Sequence, residues 1–292
     1  MKSYLAFFLF VLAIIFWFAF DFALLLPDKY LFILSILFFI YLLLTLAFLL
    51  KMVTPYFPAK MSASSKRIYA IIFDIFFVLF SYLILPLALF GPKVKTGSKT
   101  PILLVHGYAN SSAIWIYQLF QLKKRGLGPI HTINLGYPFS SIEKYAEKVK
   151  KKVDEIGTDK IILIGHSTGG LVSSYYALNL KPKVKITDII TIGSPLHGTK
   201  VAILGPGKCA KEMRYCSEFT KVLIEKIKEN KEIRFFCIGS KVDHVVVPNS
   251  SSLLGKRAEA EYQMDDIDHV SLVFNPKVSD KIAQWLTKKN SE

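Results

Sequence analysis

A chain of 292 residues has room for one large or two modest domains, but 52% hydrophobic residues and a mean hydropathy of +0.39 exclude a protein that is soluble along its whole length. Its 37 Lys and Arg against 22 Asp and Glu give a net charge of +15, and a chain this basic meets either anionic membranes or nucleic acid. No helix-turn-helix, zinc-finger or RNA-recognition pattern accompanies the charge, so nucleic acid is set aside as a partner.

The apolar excess lies at one end. Residues 4–26 carry only Asp21, residues 31–50 carry no charge, and residues 68–90 carry only Asp74. Runs of about 20 residues span a hydrocarbon core of roughly 30 Å as helices, which predicts three transmembrane helices over about 4–26, 30–51 and 68–90. A cleaved signal peptide competes for the first run, but the run is too long and no small-x-small cleavage site follows it. Asp21 and Asp74 read either as functional intramembrane carboxylates or as acids close enough to a headgroup region to stay solvated. Lys51, Lys60, Lys66 and Arg67 lie between the second and third runs, whereas Lys29 in the first loop is offset by Asp28. The positive-inside rule then keeps the second loop and Lys2 in the cytoplasm and sends the C-terminal domain outside, as in a bacterial inner-membrane protein facing the extracytoplasmic side.

Residues 1–92 are thus expected to form a membrane anchor and residues 93–292 a separate domain. That domain holds 31 Lys and Arg against 19 Asp and Glu, a net +12. Basic residues close to an anionic bilayer contribute about 1 kcal/mol each. Gly91–Thr100 is a polar linker whose ten residues reach at most about 33 Å at roughly 3.3 Å each, so the domain stays near the membrane surface.

In chain order, Ile102–Val105 reads as a buried strand ending in His106-Gly107-Tyr108. Gly107 permits a sharp turn there, and the backbone N–H of Tyr108 is positioned to face a developing oxyanion. Ser111 or Ser112 is expected to cap a helix running through Trp115, Leu119 and Leu122 to Gly126. A strand over 131–135 follows, then an amphipathic helix from Ser140 or Ser141 to about Ile156, with Ile142, Tyr145, Val149 and Val153 on one face. Next comes the most informative run of the chain, Ile161-Ile162-Leu163-Ile164-Gly165-His166-Ser167-Thr168-Gly169-Gly170. An apolar strand leads into a G-x-S-x-G turn and a helix over about 171–180, which pushes Ser167 out at the carboxyl edge of a sheet. Ile186–Ile192 is a further strand, ending in Gly193-Ser194-Pro195-Leu196-His197-Gly198-Thr199. The segment 201–232 breaks the alternation and is the candidate cap or lid. Cys209 and Cys216 lie within it. An oxidising location favours a disulfide between them, whereas a continuous helix would hold them about 10 Å apart, so the bond stays open. The strand 233–238 contains Cys237, read as a buried small hydrophobe, and ends before Asp243; the loop carrying Asp265, Asp266, Asp268 and His269 precedes a last helix with Asn275 as cap and Pro276 at its first position.

Strands alternating with helices, each a near-continuous apolar run, describe an α/β domain with a mostly parallel sheet and helices on both faces. Catalytic groups then gather at the carboxyl ends of the strands. A serine hydroxyl needs a base, and the base needs an orienting acid. Among six histidines, His106, His166 and His197 sit in tight turn motifs, His131 begins an interior strand, and His244 adjoins Asp243 in sequence. His269 completes the order Ser, Asp, His. Asp243 follows a strand directly, and Asp265, Asp266 and Asp268 remain alternative acids.

From about Thr100 to Leu286 the sequence resembles the α/β-hydrolase superfamily, and within it the compact bacterial lipases and esterases. The motifs that carry the resemblance are His106-Gly107, Gly165–Gly170, Ile192–Thr199, Asp243–Pro248 and Asp268–Leu272. The resemblance implies Ser167 as nucleophile, His269 as base, Asp243 as its orienter, and the N–H groups of Tyr108 and Thr168 as the oxyanion hole. It implies hydrolysis of a lipid or other apolar acyl ester, with no cofactor and no metal site. Calcium, which some similar lipases bind, cannot be assigned here, although Asp265, Asp266 and Asp268 form a cluster in sequence. The same site serves an acyltransferase, and a catalytically idle membrane interaction or transport component is the reading from another class.

Overall fold

A computed structural model describes residues 100–136 and 139–287. The three runs expected to cross a membrane lie outside the described residues. Among the described residues, no helix is long and apolar enough to do so.

Six strands form one sheet: β1 (Ile102–Val105), β2 (Ile130–Ile133), β3 (Lys160–His166), β4 (Lys185–Ile192), β5 (Arg234–Ser240) and β6 (Ala260–Met264). Their spatial order is β2-β1-β3-β4-β5-β6 and every neighbouring pair is parallel. The order reverses at β1, so the connections wind to both sides of the sheet. β1, β3, β4 and β5 are buried along almost their whole length, as expected of strands covered on both faces.

The helices are α1 (Ile116–Lys124), α2 (Ile142–Ile156), α3 (Thr168–Asn179), α4 (Gly207–Glu212), α5 (Glu218–Glu229) and α6 (Pro276–Thr287). α1 begins after a 3-10 turn at Ser112–Trp115, and the Ser111 side chain makes no capping bond to it. The Ser141 side chain, in contrast, accepts from the Lys144 N–H at 3.2 Å and starts α2, which Gly157 ends at φ 63°. Ile142, Tyr145, Val149 and Val153 form its inward face, and these join Leu171, Val172 and Tyr176 of α3 and Leu223, Ile224 and Ile227 of α5 in one apolar cluster over the sheet.

α5 is therefore a crossover helix between β4 and β5 that packs into the core. Of the segment 201–232 expected as a cap, the part outside α5 includes a 3-10 turn at Lys200–Leu204 and the short α4. β6 has no counterpart in the sequence reading. Its residues Ala-Glu-Tyr-Gln-Met alternate weakly, and only Met264 is buried, which is what an edge strand permits. Cys209, Cys216 and Cys237 are all free; Cys209 sits inside α4, whereas Cys216 is exposed beyond it.

Candidate active site

Ser167 occupies the bend between β3 and α3 with φ 54° and ψ −127°, a strained conformation for a residue with a side chain. The packing around the bend imposes it. A Cβ on Gly165 would lie 2.3 Å from the Gly170 nitrogen, and one on Gly169 would lie 2.1 Å from the Val105 carbonyl oxygen. Only hydrogens fit where β1, β3 and α3 converge, so the chain reverses there and lifts Ser167 to the sheet edge. Its N–H donates to the Ile192 carbonyl at 2.8 Å, fastening the bend to the end of β4.

The loop after β1 borders this serine. A Cβ on Gly107 would come within 2.8 Å of Ser167 Cβ and 3.3 Å of Ser167 Oγ. The His106 ring holds that loop: Nε2 accepts from the Leu135 N–H at 2.9 Å, and Nδ1 donates to the Gly107 carbonyl at 2.8 Å. The imidazole thus has a structural task beyond the backbone turn that the sequence suggested. The Tyr108 hydroxyl donates to the Pro206 carbonyl at 2.6 Å and ties the same loop to the segment after the Lys200–Leu204 turn. Thr168 is the first residue of α3, where a helix leaves N–H groups without intrahelical acceptors, and its hydroxyl bonds the Met213 sulfur at 2.8 Å.

Asp243 and His269 come together from the loops after β5 and β6. His269 Nδ1 is 2.7 Å from Asp243 Oδ2, and the two residues are 3% and 4% exposed. Asp243 Oδ1 accepts from the N–H groups of Val245 and Val246, each at 2.8 Å, so the carboxylate is held from both ends. His269 lies against the bend carrying Ser167. The His166 ring is 4.9 Å from the His269 ring, and His166 Nε2 donates to the His269 carbonyl at 3.2 Å. A Cβ on Gly193, at the end of β4, would meet His269 Nδ1 at 3.3 Å.

Two of the other candidate acids are drawn elsewhere. Asp265 pairs with Lys241 at 2.6 Å, and Asp268 pairs with His244 at 2.7 Å. Among the described residues no three His, Cys, Asp or Glu side chains are arranged to hold a metal ion.

Burial pushes the His106 imidazole down to about 4 and the His166 imidazole down to about 3, with the neighbouring His269 adding to the effect at His166. Both rings stay neutral in the folded chain, whereas an unfolded chain protonates them near pH 6.5. The unfolded state therefore binds more protons as the pH falls from 6.5 toward 4, and stability falls with it, by up to about 1.4 kcal/mol per pH unit for each ring. Urea unfolding midpoints are expected to drop between pH 7 and pH 5. An unchanged midpoint would mean that these rings are not buried as described.

The family described as "alpha/beta hydrolase fold" matches residues 100–206. A triacylglycerol lipase of Pseudarthrobacter phenanthrenivorans is 32% identical over 117 residues, 36% of this chain and 36% of that protein. The 1-acylglycerol-3-phosphate O-acyltransferase ABHD5 of Homo sapiens is 29% identical over 99 residues, 30% of this chain and 28% of that protein. The chain spans about a third of the length of the curated relatives it matches. Among solved structures, the mature form of the Bacillus licheniformis lipase BlEst2 superposes with a TM-score of 0.55 at 18% identity, covering 66% of this chain and 94% of that one. The described domain has the α/β-hydrolase fold. In the α/β-hydrolase frame, the bend after β3, the loop after β5 and the loop after β6 all open on one edge of the sheet, and Ser167, Asp243 and His269 occupy them in that order.

Proposed function

We propose that the chain is a membrane-anchored serine hydrolase that cleaves carboxylic esters of lipids through an acyl-enzyme intermediate. The observation that carries this reading is the buried 2.7 Å contact between His269 Nδ1 and Asp243 Oδ2 beside the strained bend of Ser167. The Ser167 hydroxyl attacks the ester carbonyl while His269 Nε2 takes its proton. Asp243 keeps the His269 proton on Nδ1 and stabilises the imidazolium that forms. The oxyanion takes hydrogen bonds from the N–H groups of Tyr108 and Thr168, one on the loop pressed against Ser167 and the other at the first turn of α3. His269 then passes its proton to the departing alcohol, and water, activated by the same imidazole, releases the acid.

The apolar rim supports a lipid ester over a polar one. Ile203 and Leu204, in the turn that Tyr108 tethers through Pro206, are 68% and 82% exposed. Phe139, 37% exposed, has its ring 6.5 Å from that of Tyr108. Exposed Lys200, the first residue of the turn, and exposed Lys208 beyond it suit an anionic surface. Replacing both Ile203 and Leu204 by Ser is expected to lower the ratio of activity on a vesicle-borne ester to activity on a soluble ester by at least about tenfold, since full burial of each apolar side chain contributes about 1.5–3 kcal/mol and about 1.4 kcal/mol between the two already gives that factor. An unchanged ratio would remove the rim from the reading.

In this reading the runs at about 4–26, 30–51 and 68–90 are the anchor, and the domain works on the extracytoplasmic side. A C-terminal reporter active only outside the cytoplasm tests the orientation, and a cytoplasmic signal would reverse it. The reaction itself is tested on the full chain in detergent with short nitrophenyl esters and a fluorophosphonate probe. Ester hydrolysis with probe attached at Ser167 is the expected result, and a chain that neither hydrolyses nor labels would return the idle-component reading. The likeness to an acyltransferase supports a second reading in which an alcohol replaces water in the last step. Products formed with glycerol or a lysolipid present separate the two.

A further inference from the structure

The chain contains two consecutive Asp-His pairs, Asp243-His244 after β5 and Asp268-His269 after β6, and they bond crosswise. While His269 contacts Asp243, the His244 Nδ1 lies 2.7 Å from both Asp268 Oδ1 and Asp268 Oδ2. Since Asp268 offers acceptors on both oxygens, Nδ1 of His244 is the donor. Asp268 Oδ1 also accepts from the backbone N–H of His269 at 2.7 Å and from that of His244 at 3.4 Å. One carboxylate therefore grips the backbone of the base from the next residue and, through His244, the loop that carries the acid. The Asp268 side chain is 3% exposed, and a carboxylate so buried is tolerable only with such partners. The His244 side chain is 25% exposed and reaches inward from the domain surface.

Resting on the proposed hydrolase reading, we infer that His244 and Asp268 are a positioning pair that fixes the separation and orientation of Asp243 and His269. The side chain of His269 could rotate or its loop could slide without moving Asp243, since nothing covalent joins the loops across the sheet edge. The crossed pair removes that freedom. It acts through the backbone amide of His269, so a disturbance at either member displaces the imidazole relative to Ser167. A displacement near 1 Å at a reacting group costs up to about 100-fold in rate.

The test uses the full chain and a soluble nitrophenyl ester. His244→Ala is expected to lower kcat by about 10- to 100-fold with KM within about twofold of wild type, since transition-state geometry and not substrate binding is lost. His244→Asn, which retains a donor near the position of Nδ1, is expected to recover most of the loss and also guards against a variant that fails to fold. The decisive arm is a cycle with His269→Ala. With the base gone the pair has nothing to position, so adding His244→Ala is expected to change the residual rate by less than about twofold. An equal loss in both backgrounds, a rise in KM at constant kcat, or a His244→Ala variant as active as wild type would overturn the inference. If wild type is active and Ser167→Ala inert while His244→Ala matches wild type, only the positioning role fails. If wild type itself is inert toward ester and probe, the hydrolase reading fails and takes the positioning role with it.

Discussion

Ser167→Ala is expected to lower kcat on a soluble ester by about 10⁶-fold, and to abolish fluorophosphonate labelling, because in the proposed mechanism the hydroxyl oxygen is the atom that joins the acyl group. In that mechanism what remains is binding and the oxyanion donors proposed at residues 108 and 168, which alone give about 10³- to 10⁴-fold over water. The substitution is mild in every other respect. It removes one oxygen from a residue 8% exposed, keeps Cβ, and leaves the φ of 54° to a residue of the same backbone preference. Stability is therefore expected to stay within about 0.5 kcal/mol of wild type, so a lost rate cannot be assigned to unfolding. Thermal unfolding and kcat measured on the same preparation check both halves. A variant retaining more than about a hundredth of the wild-type rate would mean that another nucleophile carries the reaction.

Part of this site is legible in the sequence because crowding leaves a compositional mark. Gly165 and Gly169 are required by contacts of 2.3 and 2.1 Å that any Cβ would make, and the apolar run Ile161–Ile164 announces the buried strand they follow. Asp243 and His269 are legible only by location, each beyond a strand or on a late loop. The crossed bonding of His244 and Asp268 was not legible. Side chains adjacent in sequence diverge, which argues against a bond between Asp243 and His244, but it says nothing of a partner 24 residues away. Reading that pair requires the loop after β6 to lie beside the loop after β5, and β6 is the strand the sequence conceals. Its Ala-Glu-Tyr-Gln-Met has neither a continuous apolar run nor a strict alternation, since at an edge one side needs no core. α5 is legible as a helical stretch but not in its place: Leu223, Ile224 and Ile227 form a face buried in the core, while the interrupted alternation of strands and helices makes the whole segment 201–232 read as a cap. His106 reads as a turn residue because its ring bonds reach Leu135, beyond β2, which only the folded sheet brings close.

Asp243→Asn is expected to lower kcat by about 10⁴-fold at neutral pH with the fold intact, and the hydrogen bonds around the carboxylate say why. The Val245 and Val246 N–H groups, both 2.8 Å from Oδ1, demand an acceptor there, so an asparagine places its carbonyl oxygen toward them and turns its NH₂ toward His269. An amide donor facing Nδ1 requires Nδ1 to be the acceptor. The imidazole proton then moves to Nε2, the nitrogen that in the proposed mechanism must be bare to receive the proton of Ser167. The base is present, in position and in the wrong tautomer. Its imidazolium also loses the buried negative charge that would have stabilised it. KM is expected to change by less than about threefold, because ground-state binding of the ester does not involve this pair. Asp268→Asn makes the contrast: its oxygen can still accept from the His269 N–H and its other partner is His244, not the base, so its loss is expected to be smaller by at least about tenfold. Rates on one soluble ester for both variants settle the order. Equal losses would remove the distinction between the two carboxylates, and a larger loss at Asp268 would exchange their roles.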